Sequence, residues 1–252
     1  MNVTLASYNI HIGLGRDGRL APERIASVVL ELKADIIALQ EVQLGAKRFD
    51  MSAYLRKATG YQVLAGPTIV DPMRGDYGNA LLIRQRVKSF CRIDLSVNGH
   101  EPRGALDVTL DCGENALRVV ATHLGLRPAE RRAQVTKLLS ALVQAPAPLP
   151  TILLGDLNEW FLWGRPLRWL RRHFEPTPAP ATFPAGFPVF ALDRIWVKPR
   201  RLLRRLFVHA SPLAREASDH LPVVAQLQSQ PQSIDTKDAN ESEAGWNRSE
   251  RR

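Results

Sequence analysis

Apolar residues in this chain come in short runs that stop at polar clusters, and helical spacings separate several of those runs. Residues 3–10 predict a strand ending at Asn9. Pro22 then opens a helix, with Ile25, Val28, Val29 and Leu32 marking one face at three- and four-residue steps. Residues 35–40 predict the next strand, ending at Glu41, and a second helix is expected over 49–58 with Gly60 just past its end. Strands at 61–64, 79–84, 87–95, 105–111 and 117–123 follow with little helix between them, which suggests antiparallel pairing. Pro128 begins a helix over 128–143 whose buried face is Val135, Leu138, Leu139 and Leu142. A Pro-rich link over 145–150 leads into a strand at 151–154, and further strands are expected at 192–197, 206–209 and 221–227. Strands of this kind with helices interspersed imply an α/β sandwich, two sheets with helices packed outside.

Composition sets the limits of that domain. Beyond Gln228 the chain turns to Ser, Gln, Asp, Glu and Asn, so 1–228 is expected to fold and 229–252 to form a disordered polar tail. At 45% apolar and 23% charged, the chain can bury a sizeable core as a soluble domain. Cys91 and Cys112 lie in strand-like runs and are expected as buried free thiols. They provide neither a disulfide framework nor a Cys-based zinc site, which fits a reducing compartment. The first residues lack a basic n-region and an apolar h-region, and no apolar run approaches a membrane span. The expected location is the cytoplasm, with peripheral attachment to the inner face of the membrane if the substrate is a lipid.

Charge narrows the partners. Of a net +9, almost all the excess lies in 160–205, where ten Lys and Arg residues face only Glu175 and Asp193. That favours a polyanion, nucleic acid or an anionic phospholipid surface, with a solvated basic face as the alternative. No protein partner can be inferred.

The polar clusters carry the chemistry. Thr151-Ile152-Leu153-Leu154 stops in Gly155-Asp156-Leu157-Asn158-Glu159, which brings a carboxylate and a carboxamide to a strand end. Asp156 and Asn158, at i and i+2 on a strand end, are expected to face the same side. Both are hard oxygen ligands, and a carboxylate can also take a proton from water. Tyr8-Asn9, Gln40-Glu41, Asp76-Tyr77-Gly78-Asn79, Thr122-His123 and Ser218-Asp219-His220 end or begin other runs in the same way, and Asp193 sits in Ala191-Leu192-Asp193-Arg194-Ile195. Any one of these could be a turn; their joint occurrence in this order is much less expected by chance.

With these motifs the chain resembles the endonuclease/exonuclease/phosphatase superfamily, the DNase I-like fold, over roughly residues 1–228. The carrying motifs are Ser7-Tyr8-Asn9-Ile10, Leu39-Gln40-Glu41-Val42, Gly78-Asn79-Ala80-Leu81-Leu82, Thr122-His123-Leu124, Gly155-Asp156-Leu157-Asn158-Glu159, Leu192-Asp193-Arg194-Ile195 and Ser218-Asp219-His220-Leu221-Pro222. The resemblance implies a four-layered α/β sandwich of two mixed, largely antiparallel sheets. It also implies hydrolysis of phosphate esters with Mg²⁺, for which Mn²⁺ could substitute. Glu41 would be the principal metal ligand, with Asn9 beside it and Asp219 nearby. Asp156 would orient or deprotonate the attacking water, and Asn158 would hold a phosphate oxygen or the metal. His220, held by Asp193, would contact the scissile phosphate, and His123 would be the candidate acid for the leaving oxygen. Some DNA-cleaving relatives give the histidine at the His123 position an acidic partner; here only Asp76 and Tyr77 lie near the expected place. Glu101-Pro102-Arg103-Gly104-Ala105 is similar to a cluster in a bacterial branch of the superfamily that resembles the nuclease-like domain of GPI-anchor lipid-remodelling proteins. Arg103 there would hold a phosphate bidentately, with Asn79 and Tyr77 as further candidates for binding the substrate phosphate.

Trp160-Phe161-Leu162-Trp163-Gly164-Arg165-Pro166-Leu167-Arg168 follows the Asp156 motif directly. Trp160, Trp163, Arg165 and Arg168 could stack bases and bind phosphates, or seat the chain among anionic head groups. A short helix from Pro166 could equally bury Leu167, Leu170 and Phe174 and leave the arginines in solvent. The expected function is a nuclease. Hydrolysis of phospholipid or inositol-phosphate head groups at a membrane surface is the alternative, and a non-catalytic polyanion binder on the same scaffold is a further one.

Overall fold

The computed structural model describes residues 2–45, 49–113, 115–144 and 149–228. The expected tail over 229–252 and most of the Pro-rich link lie outside the described residues. One sheet has six strands in the order β10-β11-β1-β2-β4-β3: β1 Asn2–Asn9, β2 Ile36–Leu44, β3 Gln62–Ile69, β4 Asp76–Ile83, β10 Leu203–Val208 and β11 Val223–Gln228. The other has five in chain order: β5 Arg86–Asp94, β6 Gly104–Cys112, β7 Asn115–His123, β8 Thr151–Asp156 and β9 Asp193–Lys198.

The expected sandwich forms because most central strands are apolar on both faces. On β1, Val3 and Leu5 point between the sheets while Ala6 and Tyr8 point outward; on β8, Ile152 and Leu154 point in while Leu153 points out. The inner cluster therefore joins both sheets. One outer cluster buries Ile25, Val28 and Val29 of α1 (Pro22–Glu31), Met51 and Leu55 of α2 (Met51–Thr59) and Ala214 of α5 (Pro212–Ala217). The other buries Val135, Leu138 and Leu142 of α3 (Pro128–Val143) with Leu167 and Leu170 of α4 (Arg165–His173). Four layers result. The helix ends follow local chemistry: the Asp50 carboxylate accepts the Ser52 and Ala53 amides at 2.9 and 3.1 Å, and Gly60 closes α2 at φ 73°.

Two features of topology build the site. Helix α1 joins the parallel pair β1–β2, and α3 joins the parallel pair β7–β8. The carboxyl ends of both pairs lie at one end of the sandwich, where open parallel sheets gather ligands. Antiparallel β9 and β11 start at that same end, just after Leu192 and Pro222.

Three expectations need correction. Strand β2 runs through Glu41 to Leu44 rather than stopping there. A bulge sets Gln40 and Glu41 against Asn79 alone, because Leu39 pairs with Ala80 and Val42 with Gly78. Cys91 is exposed, since β5 is an edge strand with an open outer face, and Cys112 is half-buried as the last residue of β6. The basic excess over 160–205 does not lie on one element: it spreads over α4, β9, the turn Arg200–Leu202 and β10, and the turn meets the end of α4, where the Arg200 amide donates to Glu175 Oε1 at 3.0 Å. No helix among the described residues is long and apolar enough to cross a membrane.

Candidate active site

Gly155 lets the central pair of side chains form. It lies opposite Thr122 in the parallel register, with φ 148°, and a Cβ there would fall 1.8 Å from the Thr122 carbonyl oxygen. Only glycine allows β8 this close to β7, and the next step of the register sets His123 beside Asp156. Asp156 Oδ2 then lies 3.6 Å from His123 Nε2 and 3.8 Å from His220 Nε2. Asn158 reaches the same place by a turn rather than by strand alternation. Its φ is 49°, its backbone N–H donates to Asp156 Oδ1 at 2.8 Å, and its side-chain amide donates to the Leu124 carbonyl at 2.9 Å.

The other sheet supplies the opposing carboxylate. Glu41 sits in the bulge at φ 58°. The Asn9 side-chain amide, oriented by the His11 N–H donating to its Oδ1 at 3.0 Å, donates to Glu41 Oε1 at 2.9 Å and to Asp156 Oδ2 at 3.2 Å. Two carboxylates from two sheets thus converge on one amide, and among the described residues neither is paired with Lys or Arg. Asp156, Asp193 and His220 also present ligand atoms within 4.8 Å of one another, and Asp193 Oδ1 is buried without a hydrogen-bond partner. A set rich in hard oxygens with surplus negative charge fits a divalent cation. Asp219 is not in that cluster. It stands half-exposed at the rim, 3.8 Å from His11 Nδ1, with the Ser218 hydroxyl donating to it at 3.3 Å.

Burial and charge separate the titrations of these groups. His220 Nδ1 lies 2.8 Å from Asp193 Oδ2, which also accepts the Thr182 hydroxyl at 2.6 Å. Burial alone would favour neutral His220. The charge and hydrogen bond of Asp193, with Asp156 and Asp219 behind it, outweigh burial and raise the imidazole to about 10. Asp156 is pushed up to about 6, first by burial and then by the Asp193 charge, against His220 and the hydrogen bonds from Asn158 and Asn9. At neutral pH the site therefore holds a carboxylate with appreciable proton affinity beside an imidazolium.

Among the described residues His123 has no carboxylate beside it other than Asp156, 3.6 Å from its Nε2. Arg103 Nη1 stands 3.1 Å from its Nδ1 and Asn158 Nδ2 stands 3.0 Å from its Nε2. Burial first, then Arg103 and His220, hold His123 well below the ordinary imidazole value. A neutral imidazole is poorly suited to the acid role expected of it; the protonated one in this site is His220. Arg103 is buried, ion-paired to Glu101 at 3.0 Å, and its Nε has no partner. Asp76 serves the β3–β4 hairpin instead, accepting the Asp71 amide at 3.3 Å. Asn79 ties the two sheets by donating to the Gly104 carbonyl at 3.2 Å, and Tyr77 lies against Glu41, its hydroxyl pKa raised chiefly by burial.

Several supporting roles carried no signal in the sequence reading. Thr182 orients Asp193, and the Phe183 ring packs 4.8 Å from the His220 ring. The buried Arg131 guanidinium donates to both oxygens of buried Glu159, at 3.2 and 3.4 Å, and fixes the loop after Asp156 to α3. An Arg four positions into a helix and a Glu after a strand look like solvent charges until the fold brings them together. Of the aromatic segment, Arg165–His173 takes the helical form, with Leu167, Leu170 and the capping Phe174 in the core. Trp160 and Trp163 precede the helix and remain exposed, as do Arg165 and Arg168.

Known proteins resemble this chain in sequence or in fold. The Escherichia coli (strain K12) uncharacterized protein YbhP is 32% identical, with 88% of this chain and 94% of YbhP covered. An endonuclease/exonuclease/phosphatase structure from Beutenbergia cavernae DSM 12333 superposes with TM-score 0.72 at 24% identity, covering 90% of this chain and 71% of that one. A mannosyl-6-phosphatase of Bacteroides thetaiotaomicron VPI-5482 superposes with TM-score 0.72 at 19% identity, covering 90% and 100%. The sequence pattern of one family matches residues 6–220, a span from β1 to His220 that takes in the whole constellation, and the chain belongs to that family, the endonuclease/exonuclease/phosphatase family.

Proposed function

We propose that this chain hydrolyses phosphodiester bonds with a bound divalent cation, Mg²⁺ being the natural choice for its oxygen donors. The observation that carries the reading is the buried Asp156 carboxylate, set between two imidazoles and joined through Asn9 to Glu41. Glu41, Asn9 and Asp156 would hold the cation, with Asp219 at the rim. When bound, it supplies Lewis acidity and offsets phosphate charge.

The chain's own groups do the rest. Asp156, with its raised pKa, orients water and accepts its proton. The His220 imidazolium, steadied by Asp193, donates to a phosphate oxygen, where negative charge grows in the transition state. Neutral His123 hydrogen-bonds the phosphate from the other side of Asp156, and Asn158 fixes that ring. Arg103 has an unused buried Nε–H and would turn from His123 to the phosphate when substrate enters. A non-catalytic binder loses support, because nothing in polyanion binding calls for an isolated carboxylate held in this way.

A nuclease is one reading of the substrate, supported by exposed Trp163 beside exposed Arg165 and Arg168. A phospholipid-related phosphodiester is the second, favoured by the aliphatic side chains Leu162 and Val189 exposed on the same rim. A panel of DNA, RNA, phospholipids, inositol phosphates and bis(p-nitrophenyl) phosphate, each with Mg²⁺, Mn²⁺ or EDTA, tests the proposal. Metal-dependent release of a monoester from at least one diester is expected. Turnover that is unaffected by EDTA, or confined to monoesters, would overturn it.

A further inference from the structure

Four loops surround Asp156, and contacts between them make one continuous face. Arg131 donates to the Leu126 carbonyl at 2.6 Å and also pairs with Glu159, which joins the loop after His123 to the loop after Asp156. Trp160 packs edge-on against Phe183 and Phe190, with ring centroids 5.8 and 4.8 Å apart, joining the latter loop to the one before Asp193. Arg215 donates to the Ala185 and Gly186 carbonyls, and the Arg16 guanidinium lies against Gly186, so the loop after Asn9 adjoins the one before Asp193.

The tips of these loops are apolar. Phe187 is 79% exposed, Trp163 71%, Phe161 55%, and Leu162, Val189 and Leu126 are exposed as well. Arginines stand between them: Arg16, Arg127 and Arg165 are all exposed. Apolar side chains at loop tips, interleaved with cations around a site built for phosphate, match the boundary layer of an anionic bilayer, where apolar groups enter the acyl region and arginines meet head-group phosphates. Nucleic acid fits less well. The exposed Leu162, Val189 and Leu126 have no ring face for a base to stack on.

We propose that this rim docks the chain on anionic lipid bilayers, so that Asp156 meets a phosphodiester presented in a lipid head group. Docking itself does not depend on the hydrolytic reading; only the identification of the bond that is cut rests on it.

Vesicle flotation of the full chain tests the proposal, comparing phosphatidylcholine alone with equal parts phosphatidylcholine and phosphatidylglycerol. Binding to the anionic vesicles is expected, weakened but not abolished by high salt. The exposed double substitution Phe161→Ser/Phe187→Ser should lower the partition coefficient about tenfold or more. It should leave metal-dependent hydrolysis of bis(p-nitrophenyl) phosphate unchanged. Absence of vesicle binding, or equal binding by the variant, would overturn the proposal. So would a variant that loses affinity for DNA or RNA, or its self-association, while the wild type ignores vesicles. Failure to hydrolyse bis(p-nitrophenyl) phosphate, with vesicle binding intact, would count against the hydrolase reading alone.

Discussion

At the residue scale the site depends on keeping two titrating groups apart. Asp193 holds the His220 imidazole at about 10, above its ordinary 6.5. Because the folded value is the higher one, this pair contributes stability that is fully present below about 6.5 and is lost as pH rises through about 10. Asp193→Asn removes the charge and leaves burial dominant, so His220 should titrate below its ordinary value. The alkaline limb of the pH–rate profile, and the histidine shift followed by NMR, should both move to lower pH; an unmoved limb would mean that Asp193 does not set the charge of His220. Individual residues were legible in the sequence where they end a strand, as Asn9, His123 and Asp156 do. The partners of His123 were not. Arg103 reaches it across β6 and β7, a contact made by strand pairing that no local spacing announces.

At the element scale, the strands and the 128–143 helix could be read because their apolar periods extend over both faces or one stripe. The bulge in β2 could not, since it arises from the fit between β2 and β4 rather than from any residue preference. The loops that carry Glu159 and Thr182 have no period, so their roles appear only in the fold. The Arg131–Glu159 pair shows what this costs. Arg131→Met leaves a buried carboxylate without its partner, a loss of about 3–5 kcal/mol by urea denaturation. Adding Glu159→Gln should recover part of it, since the unpaired charge is then gone. Equal stability of the single and double variants would place the pair's contribution elsewhere.

At the scale of the whole molecule, two βαβ units, one from each sheet, bring their carboxyl ends to a single point. The site is therefore a seam between sheets, and anything that binds Glu41 and Asp156 together should brace the sandwich. Burial and the Asp193 charge raise the proton affinity of Asp156, so protons compete with a cation for it as pH falls. Mg²⁺ should raise the melting temperature by several degrees at pH 8 and by much less at pH 5. A shift independent of pH would argue that the cation sits away from these carboxylates.

The central claim is that Asp156 activates water for phosphodiester hydrolysis, and a single comparison tests it most directly. Asp156→Asn keeps the shape of the side chain and its place beside Asn9, so the melting temperature should stay within a few degrees. Turnover of bis(p-nitrophenyl) phosphate at saturating Mg²⁺ should fall by about 10²–10⁴-fold. A folded Asp156→Asn variant that retains wild-type turnover would contradict the account.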